Sequence, residues 1–179
     1  MLESAIRSVK AGAKAGDIGR VIASVAAQRG FKPIVNLSGH LIEHYKVHGG
    51  LSIPNIWAPG TQELKAGQIY AIEPFVTTAK GAGMVRDGRF INIYSIIARK
   101  RLRDRGLNDL LDELWVRFKT LPFTPRYLPD GDVKAKIDRL VKIKALRAYP
   151  VLIEARGEVV AQAEHTIVVT ENGSIVLTQ

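Results

Sequence analysis

Apolar residues recur at helical spacing through the first thirty positions of the chain. Leu2, Ala5, Ile6, Val9 and Ala13 fall on one face, which predicts an amphipathic helix over residues 2–13. Asp17 stands where an N-cap would, ahead of an Ile18, Val21, Ile22, Val25 stripe, and Gly30 supplies the stop, so a second helix is expected between them. The pattern then shortens. Residues 31–35 are apolar and β-prone, 68–76 read as a buried strand with Glu73 in its interior, and Pro74 predicts an edge or an irregular end there. Residues 81–88 form a glycine-rich turn, and 90–98 predict another strand.

From 99 to 149 helical spacing returns, with Leu107, Leu110, Leu111, Leu114, Trp115 and Phe118 on one stripe. Val133, Ile137, Leu140, Val141 and Leu146 make a second, and the turn-rich LPFTPRYLPDG lies between them. Strands are expected again at 151–155, 158–163 and 166–169, with hairpin turns at Gly157 and at Asn172–Gly173 before a last strand in SIVLTQ. No repeat or low-complexity tract interrupts this order.

Composition narrows the class. The chain has 179 residues, 46% hydrophobic and 24% charged, which suits one globular domain. No apolar run reaches the roughly 18 residues of a membrane span, and the first residues lack the apolar centre of a signal peptide, so a cytoplasmic location and no membrane partner are expected. With no Cys, any metal site has to be built from His, Asp and Glu. The formal charge of +9 is concentrated: residues 99–147 hold fourteen Lys or Arg against seven Asp or Glu, which is +7 of it. GAGMVRDG lacks the Gly-Lys-Ser/Thr ending of a phosphate loop.

Three of the four histidines, His40, His44 and His48, stand at four-residue intervals in NLSGHLIEHYKVHGG, which points to metal binding or proton relay. His40 to His44 reads His-x-x-Glu-His, a zinc pattern that requires a helix. Gly39, Gly49, Gly50 and the β-branched Ile42 and Val47 oppose a helix there. In an extended segment the three rings would share a face but lie roughly 13 Å apart, so at most one would be a ligand while another faced substrate. Taken singly, each histidine could equally be a hydrogen-bonded structural group. Glu73 in IYAIEPF and Glu164 in AQAEHTIVV are carboxylates in apolar runs, costly when ionised unless a cation or hydrogen bonds compensate them.

Five segments, NLSGHLIEHYKVHGGLSIPN, GQIYAIEPF, GAGMV, AYPVLIE and VAQAEHTIVV, resemble in order and spacing the C-terminal two-thirds of type 2 methionine aminopeptidases, archaeal ones in particular. The resemblance covers essentially the whole chain. It implies an α+β pita-bread (creatinase/aminopeptidase-like) fold, a curved antiparallel sheet with outer helices. That fold would be incomplete here, lying in residues 1–98 and 150–179, with a small winged-helix-like helical insertion at 99–149. It implies a metallo-exopeptidase that removes N-terminal methionine from nascent chains with two divalent ions, among Co, Mn, Fe and Zn. On matching positions His40, Glu73 and Glu164 would be metal ligands, with Glu164 bridging both ions and taking part in catalysis. His48 would be a catalytic, substrate-side histidine, and Tyr149 a wall of the methionine pocket.

The sequence departs from the family in one respect. The family's two aspartate ligands and its other substrate histidine come from N-terminal strands ahead of the helix with which this chain starts, and no aspartate here matches them. At most one ion would be well held, and activity would be impaired or would depend on a polypeptide supplying the missing half. The alternative is a non-catalytic relic of the fold whose basic insertion contacts a protein, RNA or the ribosome. Trp115 and Phe118 lie on the apolar stripe, so they are expected in the core of that insertion.

Overall fold

The structure is a computed structural model that describes residues 1–128 and 133–178. Its chain divides into two compact units, Met1–Arg86 with Leu152–Gln179, and Asp87–Val151. The architecture is mixed α+β, with antiparallel sheets and four α-helices among the described residues. No helix among them is long and apolar enough to cross a membrane.

In the first unit α1 (Leu2–Arg7) is shorter than the apolar spacing predicts. The amides that would continue it turn to distant carbonyls instead: Ala11 donates to Thr170 and Gly12 to Leu64. Ala5 and Val9 are still buried, so the apolar face survives the end of the helix. The second helix, α2 (Ala15–Gln28), begins ahead of Asp17, with Lys14 at its N-cap position. Asp17 sits in its first turn, 2.9 Å from Arg20, where its charge complements the helix dipole. Gly30, at φ +76°, ends it as expected.

The buried face of α2 is Ala15, Gly16, Ile18, Gly19, Ile22 and Ala26, while Val21 and Val25 are only half-buried. The two glycines explain the difference. A Cβ on Gly16 would overlap the carbonyl of Ala58, and one on Gly19 those of Ile56 and Pro54, so the helix lies against the backbone of that loop.

Eight strands of this unit form two sheets. One has the order β1 (Phe31–Pro33), β5 (Phe75–Thr78), β8 (Val160–Gln162). The other runs β10 (Ser174–Val176), β9 (His165–Val169), β4 (Ile69–Ile72), β2 (Ser38–Ile42), β3 (Ser52–Pro54). The run 68–76, expected as one strand, is therefore two strands in two sheets. Pro74 cannot donate a ladder hydrogen bond, so the chain breaks at Glu73–Pro74 and changes sheet. Tyr70, Ile72, Ile167 and Val169 pack with Ile18, Ile22, Ile53 and Leu64 into the core.

The second unit holds the paired strands β6 (Val85–Ile96) and β7 (Leu146–Glu154), whose ends run into the first unit, and the helices α3 (Arg105–Phe118) and α4 (Val133–Lys142). Asp104 caps α3, accepting from the Leu107 amide at 3.1 Å. Leu107, Leu110, Leu111, Leu114, Ile137 and Leu140 form its core with Tyr94 and Phe123, and Trp115 and Phe118 pack against it as the stripe predicts. Leu146, expected on the second helical stripe, instead opens β7, because α4 ends before Lys144, which lies at φ +56°.

The turn at Gly157 does not close a hairpin, since β8 pairs with β5 and β7 with β6. Asn172–Gly173 does close one, between β9 and β10. Pro125–Tyr127 is a short 3-10 turn; the rest of that expected turn, 129–131, and the last residue of the expected final strand, 179, lie outside the described residues.

Candidate active site

The site is set by strand register in the five-stranded sheet. β4 and β9 are antiparallel neighbours whose last matched pair is Ile72 with His165. The next residue on each side is a carboxylate, Glu73 leaving β4 and Glu164 entering β9. On the other flank β2 places His40 opposite Ala71, two residues short of Glu73. Gly39 permits this approach, because a Cβ there would overlap the carbonyl of Ala71.

His40 and Glu73 meet. Nε2 of the imidazole is 3.3 Å from Oε1 of the carboxylate, and both side chains are largely buried. Nδ1 lies 3.4 Å from the Leu41 carbonyl. The hydrogen bond to Glu73 holds the imidazole above its ordinary value near 6.5; burial works against it, and the charges of Glu73 and Glu164 and the Leu41 carbonyl add to it. Glu164 is exposed and accepts from Gln162 Nε2 at 3.0 Å.

His48 reaches the same place by a route the spacing does not reveal. Residues 43–46 close a tight turn in which the backbones of Glu43 and Lys46 exchange two hydrogen bonds of 2.9 Å, with Tyr45 at φ +54°. The chain folds back, and the Gly49 amide donates to the Leu41 carbonyl at 2.6 Å. A Cβ on Gly49 would lie 2.8–2.9 Å from atoms of Leu41, and Gly50 takes φ +92°, so the glycine pair is what allows the return.

As a result the His48 ring lies 4.3 Å from the His40 ring, centroid to centroid, rather than the roughly 13 Å of an uninterrupted strand. The same turn removes the helix that the His-x-x-Glu-His pattern needs. His40 is on a strand, while His44 is exposed and packs on Tyr45 at 4.3 Å. Tyr149 belongs to the second unit, where its hydroxyl is 3.0 Å from Ser95 Oγ and it lines a cavity of about 400 Å³ with Asn92, Ile93, Phe123 and Tyr127.

One buried carboxylate was not singled out from the sequence. Glu154, 2% exposed, accepts from the amides of Ala82 and Gly83 through Oε1 and from those of Arg156 and Glu158 through Oε2. Burial pushes this carboxyl up, but the four amides outweigh burial and hold it below the ordinary range. Its oxygens are committed to backbone, so it serves as a clamp between the 81–83 turn and the β7–β8 connection. The pointer in the sequence is an acid closing the apolar run PVLIE just ahead of a glycine turn.

A divalent ion would ask for more donors than this. His40 and Glu73 touch and Glu164 is next in register, yet among the described residues no three His, Asp or Glu side chains are grouped so that they could hold a metal ion. The side chains present therefore do not by themselves fit a metal centre.

Antiparallel strands thus bring an imidazole and two carboxylates to one end of a sheet, and the class of protein comes from comparison with known families. Residues 1–171 match metallopeptidase family M24, and the chain belongs to that family. It is 43% identical to a methionine aminopeptidase of Saccharolobus solfataricus over 99% of its own length and 60% of that protein's. With one from Pyrococcus abyssi the figures are 44%, 99% and 61%. The chain thus spans about three-fifths of the length of these relatives.

Among solved structures, a thermophilic Arx1 superposes with a TM-score of 0.76 at 20% identity, over 91% of this chain and 45% of that one. The methionine aminopeptidase of Thermotoga maritima gives 0.58 at 23%, over 99% and 47%. These likenesses confirm the fold of the family.

Proposed function

We propose that the chain carries part of the active site of a metal-dependent methionyl aminopeptidase, which removes N-terminal methionine from nascent proteins in the cytoplasm. In this reading His40, Glu73 and Glu164 are the metal ligands, Glu164 and His48 take part in catalysis, and His48 and Tyr149 contact substrate. The supporting observation is the 3.3 Å meeting of His40 with Glu73, with Glu164 at the matching register position of the adjacent strand. His40 is buried, and exposed His48, its ring tilted 56° to that of His40 at 4.3 Å, would face the substrate. Residues 99–149 are then the helical insertion of the type 2 enzymes.

The reading requires the two aspartates to come from outside residues 1–179, on an N-terminal extension or on another polypeptide. Two observations support such an added segment. The relatives are longer than the part this chain spans. β8, at the edge of its sheet, pairs with β5 alone among the described residues, and residues 159–164 are all exposed, Val159 by 73%. An added strand would satisfy the free backbone edge of β8 and cover its apolar side chains.

The test is methionine release from a Met-Ala-Ser peptide with the 179-residue chain alone, and with the N-terminal part of an archaeal methionine aminopeptidase added in trans. Release is expected only in the mixture and should vanish with His40→Ala or Glu164→Ala. Equal activity of the lone chain would show that the aspartates are dispensable and the site misassigned.

A further inference from the structure

The excess charge has no role in the site just described, and the structure gives it a definite place. In residues 99–105 five of seven positions are Arg or Lys: Arg99, Lys100, Arg101, Arg103 and Arg105, all exposed. The one acid among them, Asp104, is committed to the Leu107 amide and to Arg139 at 2.8 Å. Four of the five cations line a single groove of about 680 Å³ in the second unit.

We propose that this groove binds the phosphate backbone of single-stranded RNA. Asp109 and Asp112 also line it, and each has a cation of its own, Arg105 at 3.9 Å and Arg99 at 2.6 Å. Lys100 and Arg101 have no carboxylate within salt-bridge distance among the described residues. Lys100 gives one hydrogen bond to the Ile143 carbonyl at 2.6 Å, and its ammonium keeps two further donors. Arg101 offers a whole guanidinium fork, the geometry that suits a phosphate.

The segment that presents these cations is irregular but pinned. Ile97 and Ala98 donate to the Ala145 carbonyl, and Asn108 clamps Leu102 through its amide and its carbonyl, at 2.9 and 2.6 Å. The cations therefore stand on a backbone already ordered, which lowers the entropic cost of binding. Two cations two positions apart span up to roughly 7 Å of chain, a step that adjacent phosphates of an extended strand can match.

The groove favours a polynucleotide over its rivals. Its single apolar lining residue, Leu111, is buried, so nothing is available to insert into a lipid surface or to grip an apolar peptide. No aromatic lines it. Trp115 is packed against the core and stacked by Arg99 at 5.2 Å and Lys119 at 5.4 Å, so contact is to backbone and without base preference.

This inference rests on the second unit alone, and its failure would leave the peptidase reading untouched. The test uses the full chain and a fluorescein-labelled 15-nucleotide uridine RNA, titrated between 50 and 200 mM salt. Two phosphates engaged by Lys100 and Arg101 predict a log–log salt slope of about −1.4, at about −0.7 per phosphate on a single strand. Lys100→Glu with Arg101→Glu should weaken binding by about tenfold or more, while Lys10→Glu with Lys65→Glu, the same charge change in the first unit, should leave it within about threefold. Arg101→Ala alone, which breaks no hydrogen bond or ion pair among the described residues, should lower the slope by about 0.7. Equal weakening by the two double variants, a flat salt dependence, or equally tight binding to vesicles containing phosphatidylserine would each overturn the proposal.

Discussion

Gly39 decides whether His40 can reach Glu73. The side chain it lacks would occupy the space taken by the Ala71 carbonyl on the neighbouring strand, so β2 and β4 close to their observed spacing only with glycine at this position. Gly39→Ala is expected to destabilise the protein by about 1–3 kcal/mol through overpacking, read as a lower urea midpoint with an unchanged slope. A variant as stable as the parent would show that the strands do not approach as described. At this scale His40, Glu73 and Glu164 stood out in the sequence as polar groups in apolar runs, whereas Glu154, at the end of PVLIE, did not. The arrangement of the site was not legible there. A four-residue interval is compatible with a helix or a strand, and only the left-handed Tyr45 and the Gly49–Gly50 pair, acting through contacts with Leu41, turn it into a hairpin that brings the His48 ring to 4.3 Å from that of His40.

Elements far apart in sequence are joined here by single side chains. Asn36 takes the place of a strand partner for Val85, donating to its carbonyl at 2.7 Å and accepting from its amide at 2.9 Å. Asn36→Ala removes both and should cost about 2 kcal/mol at about 1 kcal/mol for each hydrogen bond, measurable by denaturant unfolding; a loss under a few tenths would mean that water replaces the side chain without penalty.

Glu154 makes a corresponding clamp, and its consequence is a pH dependence. Its folded carboxyl titrates below the ordinary carboxylate value of about 4.3, so its contribution to stability is fully present above that value and is lost as pH falls through the lower folded one. Unfolding free energy should decline below about pH 4.3, and Glu154→Gln should flatten that decline while lowering stability at pH 7. Identical acid limbs for parent and variant would remove Glu154 from the account. The sequence showed α2, α3 and the β9–β10 hairpin, since apolar stripes, a stopping glycine and Asn-Gly are local signals, although Asp17, expected as a cap, lies inside the first turn of α2. It did not show that Pro74 sends one apolar run into two sheets, or that α1 ends at Arg7, because the partners that decide these, Pro33 for Val76 and Thr170 for Ala11, are distant in the sequence.

For the whole chain, the central claim is that residues 1–179 carry one share of a metal site and that the other share lies outside them, on an N-terminal extension or on another polypeptide. In the proposed reading, His40 and Glu73 in contact and Glu164 in register would make a weak half-site, and two aspartates carried on an added strand would complete a centre and tie metal affinity to assembly. The exposed β8 edge supplies the place for such a strand, and its apolar residues supply a reason for the lone chain to associate. The most direct measurement is a calorimetric titration with Mn²⁺ of the 179-residue chain, first alone and then mixed with the N-terminal part of an archaeal methionine aminopeptidase. The account predicts no more than one weakly held ion for the lone chain, and two ions per assembled pair, lost together when Glu164 is replaced by Ala. Two tightly held ions in the lone chain, unaffected by Glu164→Ala, would contradict it.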